Sequence, residues 1–75
     1  MRRDRIYIDD LNPGDMLVSL DGGSPRIFVG CGVNGYPQAL FVEYNVVSHL
    51  ASHLNRLGRR HLADGVYRVV SRAGV

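Results

Sequence analysis

Apolar and polar residues alternate along much of the first 44 residues, and glycine-containing turns divide this part of the chain into segments. A period of two residues is typical of half-buried β-strands, and glycine next to asparagine or aspartate is typical of the tight turns that join them. The pattern predicts strands at 5–8, 16–20, 25–33, 36–44 and, near the end of the chain, 66–72. It predicts turns at 11–15, 21–24 and 34–35.

Cross-strand pairing can be predicted by counting outward from the turns. A two-residue turn at Asn34-Gly35 places Val29 opposite Leu40, Phe28 opposite Phe41 and Arg26 opposite Glu43. The same count through Gly22-Gly23 places Leu17 opposite Phe28. Matched pairs of this kind contribute about 0.2 to 1 kcal/mol each, and a slip of one residue would separate all of them.

The two registers agree on which side chains share a face of the sheet. Face A comprises Met16, Val18, Leu20, Ile27, Val29, Cys31, Leu40 and Val42. Face B comprises Leu17, Ser19, Arg26, Phe28, Ala39, Phe41 and Glu43. We expect face A to be core, with Cys31 as a small buried side chain. Face B is either closed by Ile6 or the last strand, or left open as an aromatic-centred protein interface.

After residue 44 the apolar spacing lengthens. The positions are Val47, Leu50, Leu54 and Leu57, at intervals of three, four and three. This stripe predicts an amphipathic helix over about 46–57, with Asn45 or Ser48 as its N-cap and Gly58 as its stop. The leucines of such a helix would cover face A.

These elements predict one domain over residues 1–75, because a chain of this length cannot form two cores. The fold class is α+β: a small antiparallel sheet or partly open barrel of four to five strands, with one helix (about 46–57) before the last strand. Residues 13–18 (Pro-Gly-Asp-Met-Leu-Val) and 21–29 (Asp-Gly-Gly-Ser-Pro-Arg-Ile-Phe-Val) resemble the opening hairpin of small SH3-like bacterial domains of the YodC type. The resemblance implies an SH3-like barrel and carries over no functional residue; the predicted helix departs from its pattern.

Composition narrows the class of protein. Hydrophobic residues make up 45% of the chain and charged residues 21%, which is ordinary for a globular protein. We expect no membrane segment and a cytoplasmic location, and the single cysteine suits a reducing compartment. All nine basic residues are arginine; five of them follow residue 44, where Asp64 is the one acid.

The sequence offers little for catalysis or metal binding. His49 and His53 are four residues apart and would share one face of the predicted helix, but no third ligand is placed by sequence. The serines and Cys31 lack a base at a defined spacing, and Asp9-Asp10 would point to opposite sides of a strand. We therefore expect no enzyme activity, no cofactor and no bound metal.

These observations favour a non-enzymatic small bacterial or phage accessory protein that binds a protein partner, as an inhibitor or regulator of a larger complex. Two surfaces are candidates for the partner. One is a cationic edge of the predicted helix, formed by Arg56, Arg59, Arg60, His49 and His53; the other is the apolar patch of face B, formed by Phe28, Phe41 and Leu17. The alternative is a nucleic-acid-binding module using the arginine-rich C-terminal part, including Arg68 and Arg72. A homodimer is a further candidate, through an edge strand at 66–72.

Overall fold

Antiparallel strands form almost all of the regular structure in the computed structural model, which describes residues 5–74. The strands are β1 (Met16–Ser19), β2 (Arg26–Cys31), β3 (Pro37–Phe41), β4 (Val46–His49), β5 (Ser52–Leu54), β6 (Arg60–Leu62) and β7 (Tyr67–Ser71). Five of them form one sheet in the order β4-β3-β2-β1-β7, and β5 pairs with β6 in a second, two-stranded sheet. Short 3-10 turns lie at Ile8–Asp10 and Val33–Gly35. Within residues 5–74 no helix is long and apolar enough to cross a membrane.

The predicted helix over 46–57 is wrong, because this segment forms β4, β5 and the start of the β5–β6 turn. Val46 and Val47 are β-branched, which disfavours a helix and suits a strand, and they pair with Phe41 and Leu40 of β3. The apolar stripe is not a common buried face: Leu50 is buried, whereas Leu57 is 86% exposed. Spacings of three and four residues did not distinguish a helix from two short strands joined by a bend.

The predicted ends of that helix belong to turns instead. Asn45, proposed as its N-cap, has a positive φ of 52° in the turn between β3 and β4, and Gly58 has a φ of 80° in the turn between β5 and β6. Asparagine and glycine are the residues that enter this left-handed region at least cost. The residue types that suggested helix boundaries therefore mark hairpin turns.

The Asn34-Gly35 turn forms, but it is longer than predicted. Asn34 (φ 63°) and Gly35 (φ 77°) both have left-handed backbones, as the pair favours. Pairing next to the turn begins with Cys31 opposite Pro37. The loop therefore takes up more of β2 than a two-residue turn would.

A β-bulge moves the register of β2 against β3 further. The pairing shifts between Phe28 and Gly30, leaving Val29 without a partner in β3, and Gly30 has a positive φ of 146°. Phe28 therefore lies opposite Ala39 and Arg26 opposite Phe41. The predicted Phe28–Phe41 and Arg26–Glu43 pairs are wrong. Their displacement is two residues, which exchanges partners but keeps each side chain on its face.

Face B is the core, which answers the question that the sequence left open. Leu17, Phe28 and Ala39 are buried on this face. They form one cluster with Ile8, Leu11, Leu50 and Leu62, and Ile6, Tyr67 and Val69 pack against it. Ile6 and the last strand thus help to cover face B, which is the first of the two alternatives predicted for this face. Face B does not remain an open apolar interface over these three residues.

Face A is the outer side of the sheet, so its predicted role as core is wrong. Of its members, Leu20, Val29, Val42 and Cys31 are exposed, and Met16, Val18, Ile27 and Leu40 are half-buried. The helix that was expected to cover this face does not form. Beyond the bulge Cys31 pairs with Pro37, which lies on the same side of β3 as Ala39, so the register no longer places Cys31 on face A. Cys31 is the last residue of β2 and is exposed there.

A buried carboxylate joins the two ends of the fold. Gly14 has a φ of 101° in the turn at 12–15, as its glycine predicts, and the turn places Asp15 in the interior. The carboxylate of Asp15 accepts hydrogen bonds from the backbone N–H of Asn12 at 2.9 Å and of Ala73 at 2.6 Å. It also accepts one from Nη1 of Arg72 at 3.2 Å. The start of β1 is therefore tied to the residues that follow β7.

Candidate functional site

Face A presents a straight apolar row across four strands. Val47 of β4, Leu40 of β3, Ile27 of β2 and Met16 of β1 are successive cross-strand partners. Val47, at the edge strand, is 55% exposed. Leu40, Ile27 and Met16 are half-buried, so the row is partly accessible along its length. A continuous, accessible apolar row across several strands is more typical of an interaction site than isolated surface residues are.

The strands that carry this row contain basic side chains and no acidic ones. The five strands of the large sheet contain no aspartate or glutamate. On face A, Arg68 of β7 lies opposite Val18, and His49 of β4 lies opposite Gln38. Both Arg68 and His49 are exposed, so the apolar row has an arginine at one edge and a histidine at the other.

An exposed tyrosine joins two of the predicted site residues beside face A. The ring of Tyr36 meets the His49 ring edge-to-face, with 5.9 Å between the centroids. The guanidinium carbon of Arg60 lies 4.4 Å from the centroid of the Tyr36 ring, and its Nη1 donates to Oγ of Ser52 at 3.2 Å. His49 and Arg60 therefore contact the same tyrosine ring, although they belong to different sheets and not to one helix.

Arg59 points to a different part of the molecule. Its guanidinium carbon lies 4.0 Å from the centroid of the Tyr7 ring, its Nε lies 3.2 Å from the carboxylate of Asp9, and its Nη2 lies 4.0 Å from that of Asp10. Arg56, by contrast, is exposed in the turn between β5 and β6. The three arginines of the predicted cationic edge therefore do not form one surface.

Replacing Arg59 should have a moderate effect on stability. The Arg59→Ala variant loses a cation–π contact and two surface ion pairs, which together stabilise by about 1 kcal/mol. Urea unfolding followed by tyrosine fluorescence measures the change. Arg56→Ala is the matched control and should stay within about 0.5 kcal/mol of the wild type. Equal effects of the two substitutions would contradict the difference between their surroundings.

The histidines do not converge. His53 packs against His61 across the β5–β6 pair, with 5.8 Å between ring centroids, whereas His49 lies in the other sheet. His61 is buried, its Nδ1 lies 2.9 Å from the carbonyl oxygen of Leu62, and Asp64 is 3.8 Å away. The described part of the chain holds no group of three or more histidine, cysteine, aspartate or glutamate side chains that could bind a metal ion.

The three predicted site residues of face B differ in how far they are buried. Leu17 and Phe28 are core residues, buried to 0% and 3% exposure, so they offer no surface to a partner. Phe41 is half-buried, and the guanidinium of Arg26 lies over its ring at 4.4 Å. Tyr36 and Arg26 were not among the predicted site residues. Two features of the sequence could have indicated them: an aromatic residue directly after the Asn-Gly turn, and a single arginine within an apolar strand.

No protein-family model matches the chain, and neither a curated protein nor a solved structure matches it.

Proposed function

We propose that this is a non-enzymatic protein that binds an acidic protein partner through face A. The observation that supports the proposal is the in-register apolar row on the outer face of the sheet, in which Val47 is exposed and Leu40, Ile27 and Met16 are half-buried. A partner would bury this row, and the hydrophobic effect would supply about 25 cal/mol for each Å² of apolar area removed from water.

Charge favours an acidic partner over an uncharged one. The Arg68 guanidinium flanks the row, and the strands of the large sheet bear no aspartate or glutamate that would pair with it. Opposite charge on the partner would raise the rate of association and fix its orientation. The role that fits a small binding protein of this kind is that of an accessory protein, inhibitor or regulator of a larger complex.

The positions of the arginines favour a protein partner over a nucleic acid. Arg59 is engaged by Asp9 and Asp10, Arg72 donates to Asp15, and Arg60 stacks on Tyr36. A nucleic-acid-binding surface needs several free cations on one side to replace counterions along the phosphate backbone. Here the arginines of the C-terminal part are divided among separate contacts.

The proposal keeps two of the sequence-based expectations. An SH3-like arrangement of the large sheet is supported by the turns at 12–15 and after β1, which lie within the residues that resemble the YodC-type hairpin. A cytoplasmic location is supported by the single cysteine.

Substitution on face A tests the proposal. Val47→Asp places an acid at the β4 end of the apolar row, at an exposed position, so it should abolish partner binding without unfolding the protein. Leu57→Asp is the control, because Leu57 is also exposed but lies on the β5–β6 turn. Affinity capture from host extract with both variants, followed by titration of the captured protein at several salt concentrations, measures the effect.

The proposal is supported if a captured acidic protein is retained by Leu57→Asp and lost with Val47→Asp, with weaker binding at higher salt. It fails if Val47→Asp captures the same protein as the wild type. A concentration-dependent dimer in sedimentation experiments, abolished by Val47→Asp, would assign face A to a second copy of the chain and would overturn the acidic partner.

A further inference from the structure

Arg26 occupies a position where face B otherwise carries apolar side chains. The row across the sheet at this level consists of Val46, Phe41, Arg26, Leu17 and Val69, each the cross-strand partner of the next. Arginine is among the residues least often found on a core-facing surface unless it is paired. The position of Arg26 therefore calls for a partner of opposite charge.

The described residues supply aromatic rings but no counterion. The guanidinium carbon of Arg26 lies 4.4 Å from the centroid of Phe41 and 5.5 Å from that of Tyr67. Among residues 5–74 no ion pair involves Arg26, and its buried Nε has no hydrogen-bond acceptor. A buried polar group without a partner is rare in folded proteins and points to a missing acceptor.

A depression opens beside this arginine. Its volume is about 390 Å³, and it is lined by Ser24, Arg26, Phe41, Tyr44 and Val46. Tyr44 and Val46 are exposed, so the wall of the depression is apolar and accessible. The volume falls in the range of about 300 to 1,000 Å³ that small-molecule sites occupy, and one charged group among apolar ones is the usual composition of such sites.

Glu43 lies at the rim, beside Ser24, and forms no ion pair with Arg26. Its carboxylate accepts a hydrogen bond from Oγ of Ser24. The predicted Arg26–Glu43 pairing fails because the two-residue shift of register places Phe41 opposite Arg26. The cation is thus left free for an anion that enters the depression.

We propose that the Arg26 depression binds a carboxylate carried on an aromatic or branched apolar group. The planar guanidinium matches a carboxylate with two parallel hydrogen bonds, while Phe41, Tyr44 and Val46 contact the apolar part. This site lies on the face B side of the sheet and is separate from the proposed partner surface on face A.

The direct test is NMR titration with two isosteric probes, phenylacetate and 2-phenylacetamide. Phenylacetate should bind saturably, with a Kd of about 1 mM or tighter, and should shift the Nε–H signal of Arg26. The neutral amide should bind at least about tenfold more weakly, because it lacks the charge-assisted hydrogen bonds. Equal binding of the two probes, or no saturable shift with phenylacetate, overturns the proposal.

Four variants assign the effect to named side chains. Arg26→Gln should weaken phenylacetate binding by about tenfold, whereas Arg56→Gln, at an exposed arginine on the β5–β6 turn, should leave it unchanged. Tyr44→Ala changes an exposed wall residue without disturbing the core and should weaken binding several-fold. Glu43→Gln should strengthen binding roughly twofold to fivefold by removing the negative charge at the rim. If Tyr44→Ala and Glu43→Gln both bind like the wild type, the site is not this depression.

A peptide ending in phenylalanine distinguishes the two sources of such a carboxylate. Tighter binding of the peptide than of phenylacetate assigns the site to the C-terminus of a protein. Tighter binding of phenylacetate assigns it to a free aromatic acid. If neither ligand shifts the Arg26 Nε–H signal, both assignments are excluded.

Discussion

Leu17→Ala is expected to lower the free energy of unfolding by about 3 kcal/mol, within the range of about 2 to 5 kcal/mol for truncating a buried leucine. Leu17 is 0% exposed and lies on β1, between β2 and β7 in the sheet. A domain of this length has a total stability of roughly 4 to 11 kcal/mol, so the loss is a large part of it. Thermal unfolding followed by circular dichroism should show a Tm more than about 10 °C below the wild type.

Leu57→Ala is the matched control, because it removes the same atoms from a side chain that is 86% exposed. We expect a change within about 0.5 kcal/mol. The comparison also separates the two descriptions of the segment after residue 45. An amphipathic helix over 46–57 would bury Leu57 in its apolar stripe, so a loss from Leu57→Ala as large as that from Leu17→Ala would contradict the β5–β6 hairpin.

Asp15→Asn is expected to lower the free energy of unfolding by about 2 to 4 kcal/mol. The buried carboxylate accepts from two backbone N–H groups and from Arg72, and an amide cannot satisfy all three donors without turning its own NH₂ toward one of them. Urea unfolding at neutral pH measures the loss. Asp21→Asn, at an exposed acid in the turn after β1, is the control and should change stability by less than about 0.5 kcal/mol.

Asp15 should also make stability depend on pH in the acid range. Burial by itself would raise the pKa of this carboxyl, but the hydrogen bonds from Asn12 and Ala73 and the charge of Arg72 outweigh it, so the pKa lies below the ordinary value of 3.8. Between the lowered pKa and 3.8 the unfolded chain binds more protons than the folded one. The contribution of Asp15 is therefore complete above 3.8 and is lost as the pH falls through the folded-state pKa.

The measurement is a series of urea unfolding curves from neutral pH into the acid range for the wild type and for Asp15→Asn. The difference in free energy of unfolding between the two proteins should narrow as the pH falls below 3.8. A difference that stays constant over the whole series would show that the stabilising group at this position does not titrate.

The turns and the division into two faces were predictable from the sequence. Glycine and asparagine at 14, 34 and 35 mark backbones with positive φ, and the alternation of side chains assigns each strand residue to one side. The errors in register at Phe28 and Leu17 were two residues each and so left the faces intact. Gly30 was a local signal for the bulge, because glycine inside a strand often marks one, but it does not by itself identify Val29 as the residue without a partner.

The side of the sheet that is buried could not be predicted, because both faces are apolar. That choice depends on long-range packing, which places Ile8, Leu11 and Leu62 on the face of Leu17. The helix error had the same origin: four apolar residues at helical spacing were compatible with a helix on face A only as long as face A was taken as the core.

Individual residues of the candidate sites were predictable from the sequence, but their grouping in space was not. The sequence identified His49, Arg60 and Phe41. Helical geometry grouped His49 with Arg56 and Arg59, but His49 lies in β4, whereas the two arginines lie in the turn between β5 and β6. Arg26 was assigned to Glu43 by a register that the bulge displaces. Only the observed register shows that Arg26 lies opposite Phe41 and has no acidic cross-strand partner.

The order of the strands has a consequence for synthesis of the chain on the ribosome. β1 is an interior strand whose second neighbour is β7, and Asp15 is satisfied only when Ala73 and Arg72 have reached it. Until the last strand has left the exit tunnel, β1 has an open edge next to Leu17. The native sheet therefore cannot be completed before β7 is available, and the nascent chain carries an unpaired strand edge until then.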